Sequence, residues 1–373
     1  MENYMSRKLL SYTAIGLILG STAIADVPKV AVDIAPVHSL VSRVMEGVGS
    51  PKLIIPAGAS PHEYSLRPSE AKSLQDADMV IWIGEDLAPW MEKSIETLSK
   101  NAQVITLLEE SDTKLLDFRE GALFEEHDHG EHDDHDDHDD HDEHDHDKDH
   151  DGHDDHDDHD GHDEHDHDKD HDDHDNHDDH DDHNHDKNHD DHDDHDEHDG
   201  HAHGEHDPHA WLSTENAQTW LNLVAGKLSA ADPENAGVYF ANAAAAREEI
   251  NDLVKEVNSI LEPVRGRNFV VFHDAYQYFE TSFDFPAAGA ISLSDATDPS
   301  AARIAEIQDR VKDEGINCVL SEPQFNANLV ETVISGTDAK TGVIDPLGLG
   351  LEPGPKLYGD LIRNMGKALA GCL

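Results

Sequence analysis

Histidine and aspartate dominate residues 125–207, which hold 28 of the chain's 32 histidines and 43 of its 83 acidic residues. Neutral imidazole is the commonest transition-metal ligand in proteins, and carboxylates supply both oxygen ligands and negative charge. The spacing HDDHDDHD recurs too often to define one site, so it predicts many overlapping weak sites. A purely solubilising acidic tract would explain the aspartates but not the regular histidines. We therefore expect this segment to buffer metal ions, and its composition does not choose between zinc, nickel and copper.

The same segment has nothing with which to build a core. It lacks every large apolar residue type, and its three lysines leave it with a formal charge of −40 out of −57 for the chain. Ordering a residue costs roughly 1–2 kcal/mol in backbone entropy, which buried apolar surface would have to offset. We predict a solvated, disordered loop. The roughly 290 remaining residues suffice for one large or two medium domains.

The first 25 residues have the pattern of a secretory signal. Two basic residues precede a mostly apolar run at 9–24, and Ala23-Ile24-Ala25 ends it with a small-residue cleavage motif. Polar residues interrupt the run, so a membrane-spanning helix is a poorer interpretation. We expect a soluble exported protein, cleaved after Ala25, with no direct membrane anchor and periplasmic in a Gram-negative source. The charge of −17 outside the loop argues against nucleic acids and anionic membranes as partners.

Strand-like and helix-like segments alternate in both halves of the remaining chain. Short apolar runs predict strands at 29–33, 53–56, 79–84 and 103–107, and after the loop at 269–273, 287–291, 317–322 and 342–345. Helical patterns fill the intervals, which is typical of parallel βαβ units. One helical stretch from 232 to 261 would span about 45 Å. The pattern predicts two doubly wound α/β lobes of the (βα)4 type, joined by a long rigid helix.

The predicted organisation divides the chain into six parts. They are the signal segment (1–25), the first part of the N-terminal lobe (26–124), the His/Asp-rich loop (125–207), the completion of that lobe (208–231), the linking helix (232–265) and the C-terminal lobe (266–373).

Four histidines lie outside the loop, and each, taken alone, could be a hydrogen-bonded structural residue. His38 falls inside the first predicted helix, where we expect a partly exposed side chain. The other three lie in loops or at a strand end, where parallel α/β sheets place their binding sites. His62 follows the second strand, His209 lies where the chain re-enters the fold, and His273 ends the strand FVVFH. We expect these three to meet in a crevice between the lobes.

Carboxylates near these positions could complete a metal site. Asp345 ends a strand in VIDPLG, on the same side of the second sheet as His273. Three imidazoles with one carboxylate or water form a tetrahedral set that suits Zn²⁺ at about 2.0–2.2 Å. Glu63 and Asp274 adjoin two of the histidines and could fix their ring orientation, and Glu322 in SEPQF could support the site. We expect one zinc ion in the crevice and several weaker ones in the loop.

Five segments carry a resemblance to a known family, namely GASPHEYSLRPS, DPHAWLS, VVFHDAYQYF, SEPQF and IDPLG, in this order. Together they resemble the zinc-binding solute receptors of bacterial ABC transporters, the ZnuA type, across essentially the whole mature chain. The resemblance implies metal ligands at His62, His209 and His273, with Asp345 as a possible fourth. Some members have an acidic residue before the first histidine, where this chain has Pro61. The fourth ligand is then Asp345, a water or a loop histidine.

The resemblance also implies a function and a partner. It implies capture of zinc outside the cytoplasm and delivery to an inner-membrane ABC permease subunit, without a catalytic step, by a protein that we expect to be monomeric. The loop ends beside Pro208 and His209, so metal bound to it would be held near the crevice at an effective concentration of about millimolar. We expect the loop to scavenge zinc and hand it to the crevice.

Three other interpretations remain open from the residues. A manganese or iron receptor with the same fold would use more carboxylate ligands. A metal buffer or sensor could act through the loop alone. A zinc hydrolase would need an open coordination position and a general base, and the chain has no HExxH or GxSxG motif.

Cys318 and Cys372 are the only cysteines of the chain. In an oxidising compartment such a pair predicts a disulfide, whereas two free thiols acting as metal ligands are the alternative. The pair also resembles a disulfide of part of the family, which ties the last helix to the second sheet.

Overall fold

The computed structural model describes residues 26–119, 124, 206–292, 299–325 and 327–373. The predicted signal segment and residues 125–205 of the predicted loop lie outside these described residues. The described chain forms two four-stranded parallel sheets with helices packed against them. This architecture confirms the two-lobed α/β fold that the alternation of segments predicts.

The first sheet has the strand order β2-β1-β3-β4, with every pair parallel. Its strands are β1 (Val30–Val32), β2 (Lys52–Leu53), β3 (Met79–Trp82) and β4 (Gln103–Thr106). Its helices are α1 (Ala35–Val44), α2 (Pro68–Gln75) and α3 (Pro89–Leu98). Each helix has a proline in its first two positions, where a missing N–H costs nothing. All of β3 is buried, as expected for a parallel strand covered on both faces.

The second sheet repeats this arrangement with the order β6-β5-β7-β8, again all parallel. Its strands are β5 (Phe269–His273), β6 (Gly289–Ser292), β7 (Cys318–Ser321) and β8 (Lys340–Val343). Its helices are α6 (Gln277–Phe283), α7 (Ala301–Asp313), α8 (Ala327–Ile334) and α9 (Leu357–Cys372). Six of the eight predicted strands overlap these strands over most of their length, whereas the predicted strands 53–56 and 342–345 share only one and two residues with β2 and β8.

The strand order places a switch point beside the first strand of each sheet. Because β5 lies between β6 and β7, the chain winds first to one side of β5 and then to the other. Doubly wound sheets open a crevice at the carboxyl ends of the strands at such a point. β5 ends at His273, and its neighbour β7 leads directly into Glu322. The topology therefore brings these two side chains to the same crevice.

Two long helices connect the sheets, α4 (Thr214–Ala231) and α5 (Ala236–Leu261). The 26 residues of α5 span about 39 Å. The predicted helical stretch begins at 232, but its first residues form a separate short turn at Pro233–Asn235. Asp232 stabilises that turn because its Oδ2 accepts hydrogen bonds from the side chains of Asn235 and Tyr239.

Helix α5 is fixed to both lobes by paired ionic contacts. Arg43 of α1 donates two hydrogen bonds to Glu249 on α5, at 2.8 and 3.2 Å. Arg363 of α9 donates two hydrogen bonds to Glu256, about two helical turns further along α5, at 2.8 and 3.0 Å. Bidentate guanidinium–carboxylate pairs restrict geometry more than single ion pairs do. The helix is therefore oriented from each side by one arginine of each lobe.

The chain re-enters the fold earlier than the predicted end of the loop at residue 207. His206 pairs with Asp117 in an antiparallel bridge, and the backbone N–H of Asp207 donates to Leu116 O at 2.8 Å. Tyr278 on α6 joins both sides of this bridge, because its hydroxyl accepts from Leu116 N and donates to Asp207 O. His206 and Asp207, which the predicted loop includes, therefore contact the folded part of the chain.

Cys318 of β7 and Cys372 of α9 form a disulfide, as the cysteine pair predicts. It ties the last helix to the second sheet and leaves the described chain without a free cysteine. Among the described residues, the longest apolar helices fall short of what a membrane crossing requires.

Candidate metal centre

His62 lies in the loop after β2 and is half-buried. The backbone carbonyl of the preceding Pro61 accepts a 2.8 Å hydrogen bond from the indole N–H of Trp90 on α3. The backbone N–H of His62 itself donates to Ser60 Oγ at 3.3 Å. Helix α3 therefore holds this loop in place directly before His62.

His209 lies between the bridge of Asp117 with His206 and helix α4, and it is 5% exposed. Asp207 supports it twice, because Oδ1 accepts from the backbone N–H of His209 at 2.9 Å and lies 2.7 Å from Nδ1. This is the turn that an aspartate makes with the residue two positions on. The same carboxylate therefore fixes both the backbone and the ring of His209.

His273 ends β5 and is 4% exposed. Its Nδ1 lies 2.6 Å from Oε1 of Glu322, which is equally buried. Because β5 and β7 are paired neighbours, the register of the second sheet itself brings the imidazole to this carboxylate. The sheet therefore places Glu322 beside His273, and its role in a metal site stays a prediction.

The three histidines converge although they come from distant parts of the chain. Their ligand nitrogens all lie within 4.8 Å of one another. The ring centroids are 5.5 Å apart for His62 and His209, and 5.3 Å apart for His209 and His273. Tetrahedral Zn–N bonds of about 2.1 Å would place the nitrogens about 3.4 Å apart. A contraction of at most roughly 1.4 Å would therefore bring all three onto one ion.

The chemistry of this cluster suits a transition metal. A carboxylate at Nδ1 fixes the tautomer in which Nε2 presents its lone pair, and it also raises the basicity of the ring. His209 and His273 each have such a carboxylate, Asp207 and Glu322 respectively. The cavity beside the three rings has a volume of about 20 Å³. This is room for one water-sized species, so the site fits a single ion and not an organic solute.

The other residues singled out in the sequence lie at different distances from this cluster. Asp345 is half-buried at the end of the second sheet, and its Oδ1 accepts from Gln324 Nε2 at 3.2 Å and from Leu347 N at 3.0 Å. Within the described part of the chain, the group of ligand atoms inside 4.8 Å comprises the three histidines without Asp345. Glu63 is exposed. As a fourth ligand, Asp345 therefore stays a prediction.

A buried layer of acidic side chains lies behind the histidines around Arg119. The guanidinium donates to Asp274 at 3.0 Å through Nε and to Glu280 at 2.8 Å through Nη1. Burial raises the pKa of both carboxyls, and the positive charge of Arg119 opposes that shift. Burial also raises the pKa of Asp207 to about 7, against the hydrogen bond from the backbone of His209 and the charge of Arg119. Arg119 is therefore the cation that compensates this layer.

His38 differs from its prediction. It lies in α1 as expected, but it is 8% exposed and its Nε2 is 3.2 Å from Pro51 O. Burial lowers its pKa, so the neutral ring is favoured. The ring packs under the loop between α1 and β2 because that carbonyl gives its nitrogen a partner. His38 is a structural residue of the first lobe.

Sequence reasoning missed two contributors to the site. Asp207 was counted with the loop because most residues before it are histidine or acidic, although the segment DPHAWLS begins with it. Its position two residues before His209, followed by proline, is the signal of an aspartate turn. Arg119 gives no such signal, since its partners lie 155 and 161 residues further along the chain.

Comparisons with known proteins give matches along nearly the whole chain. The family described as zinc-uptake complex component A, periplasmic, matches residues 30–372. The high-affinity zinc uptake system protein ZnuA of Brucella abortus (strain 2308) is 43% identical over 373 residues, covering 100% of this chain and 99% of the relative. That of Paracoccus denitrificans (strain Pd 1222) is 44% identical over 359 residues, covering 95% of each. A crystal structure of ZnuA superposes with a TM-score of 0.63 at 18% identity, covering 93% of this chain and 99% of that one.

Proposed function

The chain belongs to the ZnuA family of periplasmic zinc-uptake components, and from this premise we propose that His62, His209 and His273 hold one Zn²⁺ ion for delivery to an ABC permease. The observation that carries the proposal is the convergence of the three ligand nitrogens within 4.8 Å. The carboxylates of Asp207 and Glu322 would orient two of the rings.

The ligand set favours zinc over harder ions. Imidazole suits zinc, copper, iron and nickel, whereas manganese and magnesium prefer oxygen ligands. The cluster offers three nitrogens, and the nearest carboxylates, those of Asp207 and Glu322, hydrogen-bond the histidines at Nδ1. A manganese receptor would need some of these oxygens on the ion itself. We therefore propose zinc as the cargo, one ion per cluster.

Transport requires capture and release, and no covalent bond within the solute has to be made or broken. The family is one of solute-binding components of uptake systems, so an inner-membrane permease is the partner that it implies. We propose that the mature protein begins after Ala25 and acts in the periplasm as a monomer. We also propose that its lobes are residues 26–119 with 206–231, and 266–373, joined by the helix within 232–265.

Zinc-limited growth tests this function. A bacterial strain that lacks its own copy of this protein should grow in chelator-treated medium when it carries the wild-type chain. The combined variant His62→Ala, His209→Ala, His273→Ala should not restore growth, although its His/Asp-rich loop remains intact. Asp112→Ala, an exposed substitution, is the control, with export checked by immunoblot. Growth supported by the combined variant would assign zinc uptake to the His/Asp-rich loop instead.

We further propose that the His/Asp-rich segment, residues 125–205, supplies zinc to the cluster. Its chemistry is that of many weak imidazole sites, and both of its flanks are anchored beside the cluster. The bridge of Asp117 with His206 closes its base, and Asp207 contacts His209 directly. A tether of this kind can raise the local metal concentration to about millimolar.

The rate at which the cluster fills tests this role. We expect the cluster to fill more slowly at limiting zinc when residues 125–205 are replaced by a short glycine–serine linker, with Asp207 retained. A second protein, in which serine replaces the histidines of 125–205, keeps the length and should fill equally slowly. Stopped-flow mixing with a fluorescent zinc chelate gives the rates. Equal rates in all three proteins would contradict a supply role.

A further inference from the structure

Gln324 lies two residues after Glu322 and lines the small cavity beside the three histidines. Its Nε2 donates to the backbone carbonyl of Ala57 at 3.3 Å and to Oδ1 of Asp345 at 3.2 Å. Both partners can only accept, so they determine which end of the amide is the nitrogen. Ala57 belongs to the first lobe and Asp345 to the second. Gln324 therefore bridges the mouth of the crevice with its amide orientation fixed.

The other end of this amide has a different environment. Its Oε1 is buried, and none of the described residues gives it a hydrogen-bond donor. A buried carbonyl oxygen without a donor lowers stability, and native structures keep few such atoms without a functional reason. A donor that arrives with the bound solute would satisfy it.

The coordination chemistry of the cargo identifies that donor. Three imidazoles leave one position of a tetrahedral zinc ion open, and a water molecule commonly fills it. The ion makes this water more acidic and hence a stronger hydrogen-bond donor. Inside a closed crevice such a water needs an acceptor. An amide oxygen meets this need without adding charge.

We propose that Gln324 Oε1 accepts a hydrogen bond from the water in the fourth coordination position of the captured zinc ion. The proposal rests on the function proposed for the histidine cluster. Asp345 then acts on the site through Gln324, because it holds Nε2 and thereby aims Oε1. The amide is fixed by both lobes, so the acceptor is in place only when the lobes are in contact at this point.

Gln324→Met tests the proposal, because methionine keeps the length of the side chain and removes the amide acceptor. We expect zinc affinity to fall about tenfold or more, the usual effect of losing a partner that supports a metal ligand. The visible absorption spectrum of Co²⁺ bound in place of zinc should shift as well, since it reports the coordination shell. Gln308→Met on α7 is the matched control, because Gln308 also donates through Nε2 to a backbone carbonyl, at an exposed position. The control should change neither quantity.

The outcomes separate this proposal from the proposed function. If Gln324→Met lowers only the thermal stability, with zinc affinity and Co²⁺ spectrum unchanged, Gln324 is structural and the proposal is overturned. Asp345→Asn keeps an oxygen for Gln324, so we expect it to weaken zinc binding less than tenfold. A loss several hundredfold would identify Asp345 as the fourth ligand and also overturn the proposal. In both cases His209→Ala would still abolish tight binding, and the function would stand.

A measurement on the wild-type chain keeps the test decisive if Gln324→Met does not fold. With ¹³C-labelled glutamine in the full-length protein, the side-chain carbonyl signal of Gln324 should shift when one equivalent of zinc is added. A signal that does not move on zinc addition would overturn the proposal.

Discussion

Replacing His209 by alanine is expected to weaken zinc binding at the cluster by roughly 60- to 700-fold. Structural zinc sites with four protein ligands have apparent binding free energies of about 10–16 kcal/mol, hence about 2.5–4 kcal/mol per ligand. Each 1.4 kcal/mol corresponds to a tenfold change in Kd. His209 is the central member, because its ring is the neighbour of both other rings. Chelator competition on a protein without residues 125–205 measures the affinity free of weak sites.

Two further substitutions make this result specific. Asp207→Asn keeps an oxygen for the backbone of His209 but weakens the bond to Nδ1, so we expect a loss of only 10- to 100-fold. His38→Gln changes a buried histidine outside the cluster and should leave the affinity unchanged. An affinity loss below tenfold for His209→Ala would exclude this histidine as a ligand.

Arg119→Met is expected to lower the free energy of unfolding of the metal-free protein by about 3–5 kcal/mol. The substitution keeps much of the side-chain volume but leaves the buried carboxylates of Asp274 and Glu280 without their cation. A loss of this size corresponds to a decrease in Tm of roughly 6–20 °C for a chain of this length. Urea unfolding in the presence of a chelator measures it.

The pH dependence of this deficit identifies its cause. Burial already raises the pKa of both carboxyls, and without Arg119 the largest opposing contribution is lost. A protein with such a group loses stability as the pH rises through the folded-state pKa of the group. It loses none at pH values where the group is protonated in both the folded and the unfolded protein. The deficit should therefore be largest at neutral pH and shrink under acid. A triple variant with Asp274→Asn and Glu280→Gln should recover most of the stability at pH 7; a deficit independent of pH would indicate lost packing.

Much of the fold follows from local patterns in the sequence. Buried parallel strands are continuous apolar runs, so β3 and β5 are visible as MVIW and FVVFH. Helices begin at proline or at a capping serine such as Ser213, which accepts from Asn216 N. His62 and His273 stand out because parallel sheets place their sites at strand ends. These features are local, and single segments are enough to read them.

What the sequence does not reveal depends on distant partners. Arg119 pairs with Asp274, which lies in a distant segment of the chain. Gln324 likewise bridges Ala57 and Asp345. The segments joined in this way share no local pattern. Asp207 was assigned to the loop for the opposite reason, since the composition before it is nearly uniform, whereas its contact with Tyr278 on helix α6 has no local signal. Composition predicts the chemistry of a segment, and only the tertiary contacts decide where the segment ends.

We propose that the tight zinc site is the cluster of His62, His209 and His273. Calorimetric titration with chelator competition tests it on two proteins, one without residues 125–205 and one with alanine at all three positions in the full-length chain. We expect one tight site in the first protein and only weak binding in the second. Tight binding that disappears with residues 125–205 and survives the three alanines would contradict it.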